Sequence, residues 1–495
     1  MISVSDGIRL IFGLKLKALR QQQGMNYHQL SEATGIAVSY LHDIENGKKY
    51  PKADKIIALA KALNVDYDYL VSLTAKKRLQ PIIDFMNSDF TSTIPWEHFG
   101  ITPASLLGMF ANMPDKLTAF ASALLKRSRR LQTSNDNFYT SALRSFQDLH
   151  DNYFEDLEKA VVEFRIQAKL NETLPVLLEK LEALLLEMYG IKVDREEMSG
   201  KEEIKYLRSF YAKQKKILYV NKGLTIAQEK FLLGRELAFQ YLKLSPRPYE
   251  TNVQSLASFE ILLHNFNASY FSNALLMPED TIIEDVHTIF LPAKWHSEAW
   301  LNLVAKYDVT HEMLMQRLTN ILPKHFSIDQ LFFLRMKGEV DNDFFEVTKE
   351  LHLSQLHNPN ANDLQEHYCR RWAAISIMKD VDEQMKSKKF GKPIVQAQIS
   401  EYWQTDSRYL CVTFAKRHAA DSPVITSVTL GLLIDPNLIQ KVPFLNDATI
   451  PTKTVHTTCE RCGIMDCKER AGKPIFIEQQ EKIKAIEETL KRLEE

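Results

Sequence analysis

The sequence predicts a multidomain α+β protein, on three observations. Its 495 residues exceed what one ordinary core accommodates, and about three domains is the expectation for that length. The first 75 residues read as short amphipathic helices divided at Gly24, Gly35, Gly47 and Pro51. Beyond Phe344 apolar patterns of strand type return, and three of the five cysteines crowd together as Cys459, Cys462 and Cys467. The expected parts are an all-α helix-turn-helix domain over 1–75, a helical connector over 76–170 and an α+β domain over 171–345. A β-rich α+β domain with the cysteine cluster follows over 346–475, and an amphipathic helix closes the chain over 476–495.

The bulk properties narrow the classes. Sixty-two basic side chains against sixty-three acidic ones leave the chain nearly neutral, so affinity for nucleic acid has to come from a local patch. No apolar run approaches the roughly 20 residues a membrane span needs, and no signal peptide opens the chain. Few cysteines in an odd number favour a reducing cytoplasm, where a thiol cluster holds metal more often than a disulfide.

Tyr27 to Thr34 forms a short helix with Leu30 and Ala33 inward, Gly35 supplies a turn, and Val38 to Glu45 forms the next helix with Leu41 and Ile44 inward. Ser39, Tyr40, His42, Asp43 and Asn46 are then left to point outward, as a recognition helix in a major groove requires. Residues 1–80 carry twelve Lys and Arg against seven acids, and this excess suits phosphate. The runs Gln29-Leu30-Ser31-Glu32-Ala33-Thr34-Gly35-Ile36 and Ser39-Tyr40-Leu41-His42-Asp43-Ile44-Glu45-Asn46-Gly47-Lys48 resemble the phage-repressor type of helix-turn-helix. The resemblance implies base contacts from Ser39, Tyr40 and Asp43, with Gln29, Asn46, Lys48 and Lys49 on the DNA backbone. Domains of this kind usually bind as dimers on two half-sites of a double-stranded operator.

In the connector, Leu106, Phe110, Leu117, Phe120 and Leu124 recur at helical spacing, and so do Phe146, Leu149, Tyr153 and Leu157. Lys126-Arg127-Ser128-Arg129-Arg130 is open between a DNA contact and a solvated helix end, and Gln132 to Tyr139 reads as a loop.

The middle domain begins with a helix over Leu174 to Tyr189 and a strand over Ile217 to Val220. Phe231-Leu232-Leu233-Gly234-Arg235-Glu236-Leu237-Ala238-Phe239 and Ala274-Leu275-Leu276-Met277-Pro278 then resemble the zinc peptidase domain fused to repressor-type helix-turn-helix modules in bacterial regulators. That family places His-Glu-x-x-His on one helix face to grip zinc. Here Arg235 and Phe239 stand at the two histidine positions, and Asn265 lies about where the downstream acidic ligand falls. Glu236 alone survives, so no catalytic residue and no enzyme activity are expected. The helix is open between a purely structural role and a ligand cleft in which Arg235 pairs with an anion.

In the last domain Ile394 to Ile399, Tyr409 to Phe414 and Val424 to Ile434 read as strands. Cys411 lies inside one of them, as a buried hydrophobe does, whereas Cys369 in His367-Tyr368-Cys369-Arg370-Arg371-Trp372 is the better fourth partner for the closing triplet. The order of parts resembles the short-chain fatty acyl transcriptional regulators. The features that carry it are the histidine-poor helix, Phe332-Phe333-Leu334-Arg335, Cys369-Arg370-Arg371-Trp372, Asp406-Ser407-Arg408-Tyr409-Leu410-Cys411 and the final Cys-x2-Cys-x4-Cys. The resemblance implies a regulator of carbon and fatty-acid metabolism that senses a short acyl-CoA or related metabolite. It also implies an iron–sulfur cluster (4Fe–4S) on Cys369, Cys459, Cys462 and Cys467, with zinc as the alternative and redox sensing as a consequence of iron. Arg208 and Arg235 are the candidate cations for the effector. The competing expectation is an active metallopeptidase that cleaves a partner repressor through Glu236. In the tail, Ile483, Ile486, Leu490 and Leu493 follow a three-four-three spacing, a short coiled-coil seam open between packing on its own chain and homodimer formation.

Overall fold

The computed structural model describes residues 4–72, 139–140, 143–144, 146–148, 150–171, 173–198, 200–251, 258–353, 366–386, 393–417 and 422–494. The apolar series from Leu106 to Leu124, the basic run Lys126 to Arg130 and most of the Gln132 to Tyr139 loop lie outside them. The described residues form two compact units, one made of 1–143 with 254–262, the other of 144–253 with 263–495.

In the first unit, α1 (Val4–Gln22), α2 (Tyr27–Thr34), α3 (Val38–Glu45), α4 (Ala53–Ala62) and α5 (Tyr67–Val71) surround a core of Phe12, Leu16, Leu30, Leu41, Ile44, Ile56 and Leu59. Helix α2 starts at a capping box: the Asn26 side chain accepts from the Gln29 amide at 2.9 Å, while the Gln29 side chain accepts from the Asn26 amide at 2.8 Å. It stops at Gly35, whose φ of +68° lies in the left-handed region that glycine enters without a Cβ clash. Leu30, Leu41 and Ile44 are buried as expected, but Ala33 is exposed, because the buried stripe of this eight-residue helix is a single leucine wide.

In the second unit, β1 (Lys192–Asp194), β2 (Ser209–Ala212) and β3 (Ile217–Val220) form a small sheet in the order β1-β3-β2. With it pack α6 (Glu155–Gln167), α7 (Leu178–Tyr189) and α8 (Ile226–Tyr241), whose residues share one large apolar core. Helices α9 (Phe259–Leu276), α10 (Glu279–Phe290), α11 (Ser297–Tyr307) and α12 (His311–Phe326) follow.

A six-stranded sheet in the order β5-β4-β8-β7-β6-β9 comes next. It comprises β4 (Leu331–Glu339), β5 (Phe344–His352), β6 (Ile394–Tyr402), β7 (Arg408–Arg417), β8 (Ile425–Leu433) and β9 (Thr452–Val455), antiparallel except where β6 meets β9. The three strands expected after Ile394 are β6, β7 and β8. Their near-continuous apolar runs follow from burial on both faces. Leu410, Val412 and Phe414 join the large core, whereas Tyr409, Cys411 and Ala415 face a second core built on α13 (Ala373–Lys386). Strands β4 and β5 pair across the division drawn at 345, so both sides of it contribute to one sheet. α14 (Pro436–Lys441) and α15 (Ile475–Glu494) complete the unit. Among the described residues no helix is long and apolar enough to cross a membrane.

Candidate nucleic-acid interface and candidate metal centre

Of the residues expected on DNA, Ser39 is exposed and Tyr40 and Asp43 are half-buried on α3, with Asn46 at its C-cap. Tyr40 is flanked by cations: Lys55 Nζ lies 4.0 Å from its ring centroid and Lys49 Nζ 5.3 Å. Lys55, from α4, was not singled out in the sequence because nothing local ties it to α3. Lys49 also pairs with Asp43 at 3.0 Å, and that hydrogen bond holds the Asp43 carboxyl below its ordinary range. Gln29 uses its carbonyl oxygen in the α2 cap, so what it can offer a phosphate is its amide N–H.

Two of the twelve basic side chains of this segment are consumed inside the fold. Arg20 makes a fork onto buried Glu45 at 2.7 and 2.9 Å, and Tyr27 donates to the same carboxylate at 2.8 Å. Lys15 is buried and donates to the Tyr69 and Ser72 carbonyls, and burial pulls its pKa down to about 8. Of the other basic side chains of the segment, Lys48, Lys49 and Lys52 are exposed and Lys55 is half-buried, and Lys49 and Lys55 flank Tyr40.

On α8, Arg235, Glu236 and Phe239 are all buried. Arg247 grips Glu236 with both ends of its guanidinium, Nη1 to Oε1 at 2.8 Å and Nη2 to Oε2 at 2.5 Å, and lies 3.8 Å from the Phe239 ring centroid. Gln240 adds a donor to Glu236 at 2.7 Å. Arg235 donates to Asn265, which places together the two positions where the resembled family carries ligands. Burial and then the nearby Arg247 lower the Arg235 pKa to about 10; Arg208, exposed before β2, adds to that repulsion. The Arg235 Nε is buried without a hydrogen-bond partner among the described residues.

The cysteine segment is assembled by a backbone bridge between distant stretches. Tyr368 pairs with Thr458, the Cys369 amide donates to the Thr457 carbonyl at 3.2 Å, and the Cys459 amide donates to the His367 carbonyl at 2.8 Å. Glu366 receives Arg461 at 2.7 Å and the Thr458 hydroxyl at 2.6 Å, and Glu460 receives the His367 amide at 2.9 Å. Cys369 is thereby brought close enough to Cys459 and Cys462 for their charges to interact, as are Cys462 and Cys467. Cys411, on β7, donates to the Ser400 hydroxyl at 3.5 Å instead, and burial pushes its pKa up to about 12.

Burial raises the Cys369 pKa to about 11 and also raises that of Cys462. Opposing this, the backbone amides of His456 and Arg371 favour the Cys369 thiolate, the Ile464 amide favours that of Cys462, and the Ala471 amide donates to Cys459 Sγ at 3.4 Å. Arg470 ties the loop by donating to the Cys459, Cys462 and Ile464 carbonyls at 2.8, 3.0 and 2.7 Å. Gly463 lies under Trp403, where a Cβ would fall 2.1 Å from the indole. Three of the thiols are buried and Cys467 faces a cleft lined by Arg371, Trp403, Asp466 and Lys468. With these rotamers no group of three or more His, Cys, Asp or Glu among the described residues closes into a ligand shell.

Residues 16–70 match the helix-turn-helix family. The uncharacterized HTH-type transcriptional regulator YobD of Bacillus subtilis (strain 168) is 30% identical over 96 residues, covering 19% of this chain and 83% of that protein. The HTH-type transcriptional repressor RghR of the same organism is 38% identical over 61 residues, 12% of this chain and 45% of its own length. YazB, an uncharacterized HTH-type regulator also from that organism, is 37% identical over 60 residues, 12% of this chain and 87% of its own. A solved Mycobacterium tuberculosis transcriptional regulator aligns with 67% of this chain and 93% of its own at 16% identity and a TM-score of 0.48. With a capped α2, a glycine turn and an α3 that offers Ser39 and Tyr40 beside a lysine cluster, all inside the matched residues, the chain belongs to the DNA-binding HTH-type transcriptional regulators.

Proposed function

We propose that this transcriptional regulator reads its operator with α3 and senses a short-chain acyl-CoA or related metabolite through its second unit. In this reading Cys369, Cys459, Cys462 and Cys467 hold a metal centre, an iron–sulfur cluster with zinc as the alternative. The observation that carries the operator reading is Tyr40, exposed in part on α3 and set between Lys49 and Lys55. In this reading the Tyr40 hydroxyl reads a base edge, while the lysines and the α2 cap contact phosphate. The amide donors around the thiols support the metal reading, since they stabilise negative sulfur in a segment where burial alone opposes it. An iron centre would supply redox sensitivity, a zinc ion only structural closure. The unpartnered Nε of Arg235 and the nearby Arg208 support an anionic effector. The double grip of Arg247 on Glu236 supports a body without peptidase activity, because that carboxylate is already neutralised. Effector binding would act by favouring one arrangement of the reader domains and so shifting operator occupancy.

Duplexes selected from a random library provide the test. Tyr40→Ala is expected to cost about 1–3 kcal/mol on the selected site and to relax its base preference, whereas Lys48→Ala weakens all duplexes alike and lowers the salt slope by about 1. A Tyr40→Ala protein that keeps the same base preference would remove Tyr40 from the reading face. Thermal stability measured against a series of short acyl-CoA esters tests the effector, with a rise of about 2.7 kcal/mol expected at a hundredfold excess over Kd.

A further inference from the structure

Helix α15 carries an apolar stripe that its own unit leaves in solvent. Ile483, Ile486 and Leu490 are 57%, 60% and 55% exposed, and all residues from Glu478 to Arg492 are exposed with them. The start of the helix, by contrast, is anchored. The Phe476 amide donates to the Glu460 carbonyl at 3.2 Å, and Arg461 lies 4.6 Å from the Phe476 ring centroid. The helix is thus held at one end and projects its apolar spacing into water, where three large aliphatic side chains at helical neighbours cost about 25 cal/mol for each Å² left wet. Glu478 and Lys482, Glu487 and Lys491, and Glu488 and Arg492 stand four residues apart in the acid-first order that supports an isolated helix.

We infer that α15 pairs with α15 of a second copy of this chain as a parallel two-stranded coiled coil. Ile483 and Leu490 take the first core position of each heptad and Ile486 the fourth, a register the sequence continues to Leu493. The charges flanking this seam choose the partner and its direction. Lys482 precedes the core residue Ile483, and Glu487 follows the core residue Ile486. In a parallel homodimer these two positions face each other across the seam, five residues apart, so each Lys482 meets the partner helix's opposite charge, twice over by symmetry. Antiparallel pairing sets like positions together and brings Glu487 against its own copy. Lys484, Lys491, Glu481 and Glu488 fall on the outer face. The seam is under three heptads, short for a stable coil alone, and the anchored start at Phe476 offsets part of the ordering cost.

The test uses the full chain without DNA, so its failure leaves the operator reading untouched. Light scattering across a dilution series is expected to show a dimer. Ile486→Asp with Leu490→Asp should raise the dissociation constant at least about tenfold while circular dichroism and melting of the body stay unchanged. Lys482→Glu alone and Glu487→Lys alone should each weaken the dimer, and the double variant K482E/E487K should restore it. A wild-type monomer, a dimer indifferent to the two aspartates, or a double variant as weak as the singles would overturn the proposal. Cysteines at the two ends of the seam add direction: on oxidation of a mixture of Ile483→Cys and Leu490→Cys chains, each is expected to link to its own kind, and links formed only between the two kinds would overturn the parallel arrangement.

Discussion

Helix α8 and the cysteine segment are the two places where this chain resembles a metal site, and they have opposite electrostatics. On α8 the surviving acid, Glu236, is enclosed by Arg247 and Gln240, and Arg235 stands where a ligand would be. The negative charge there is already matched by cations of the chain itself. Around Cys369 and Cys462 burial raises the thiol pKa, and the opposing neighbours are backbone amides rather than side-chain cations that pair with the sulfur; the Ala471 amide likewise donates to Cys459 Sγ. The lesson is that ligand residue type is not enough. What matters is whether the partners of a potential ligand neutralise it or leave a charge for a metal to balance.

The sharpest way to break this comparison is metal content. Anaerobically reconstituted protein is expected to hold about one cluster or zinc ion per chain, Cys462→Ser to reduce that at least about tenfold, and Glu236→Gln to leave it unchanged. Metal retained by the serine variant and lost from the glutamine variant would reverse the assignment. The visible spectrum distinguishes iron–sulfur from zinc.

The next effect in size concerns the α8 pair. Both Arg247 and Glu236 are buried, so Arg247→Ala should cost about 3–5 kcal/mol in denaturant unfolding, by leaving a carboxylate without its partner. Adding Glu236→Gln should recover part of that loss; additive losses would mean the two side chains act independently.

A smaller effect belongs to the large core that α8 joins. His311, tilted against the Phe414 ring with centroids 4.7 Å apart, has its pKa lowered to about 4 by burial and then by Lys416. A histidine depressed in the folded state contributes stability above its unfolded pKa of 6.5, and that stability is lost as pH falls toward 4. Wild type should lose about 3 kcal/mol over that window relative to His311→Phe. Equal acid sensitivity in the two proteins would show that other groups carry the transition.

Much of this was legible locally. The helix-turn-helix follows from Gly35 and the Leu30, Leu41, Ile44 spacing, cues that act along short stretches of the chain. The strands β6, β7 and β8 announce themselves as apolar runs, and the closing triplet by spacing alone. The apolar stripe of α15 follows from a three-four-three period, whereas its exposure is seen only in the fold. Each of these is short-range, because helical and strand periods and turn residues act over a few residues.

Only the tertiary structure decided the rest. Nothing near Glu236 marks Arg247, eleven positions on, as its partner, and nothing near Tyr40 marks Lys55. The sequence counts Lys15 and Arg20 as basic, but the fold buries them against Tyr69, Ser72 and Glu45, where they cannot meet phosphate. Cys369 meets the closing triplet through the Tyr368–Thr458 bridge, a pairing across ninety residues of chain. Periodicity determines which face of an element is buried. Which charges end up facing one another is set by how the elements pack, and that governs what each charged or thiol group can bind.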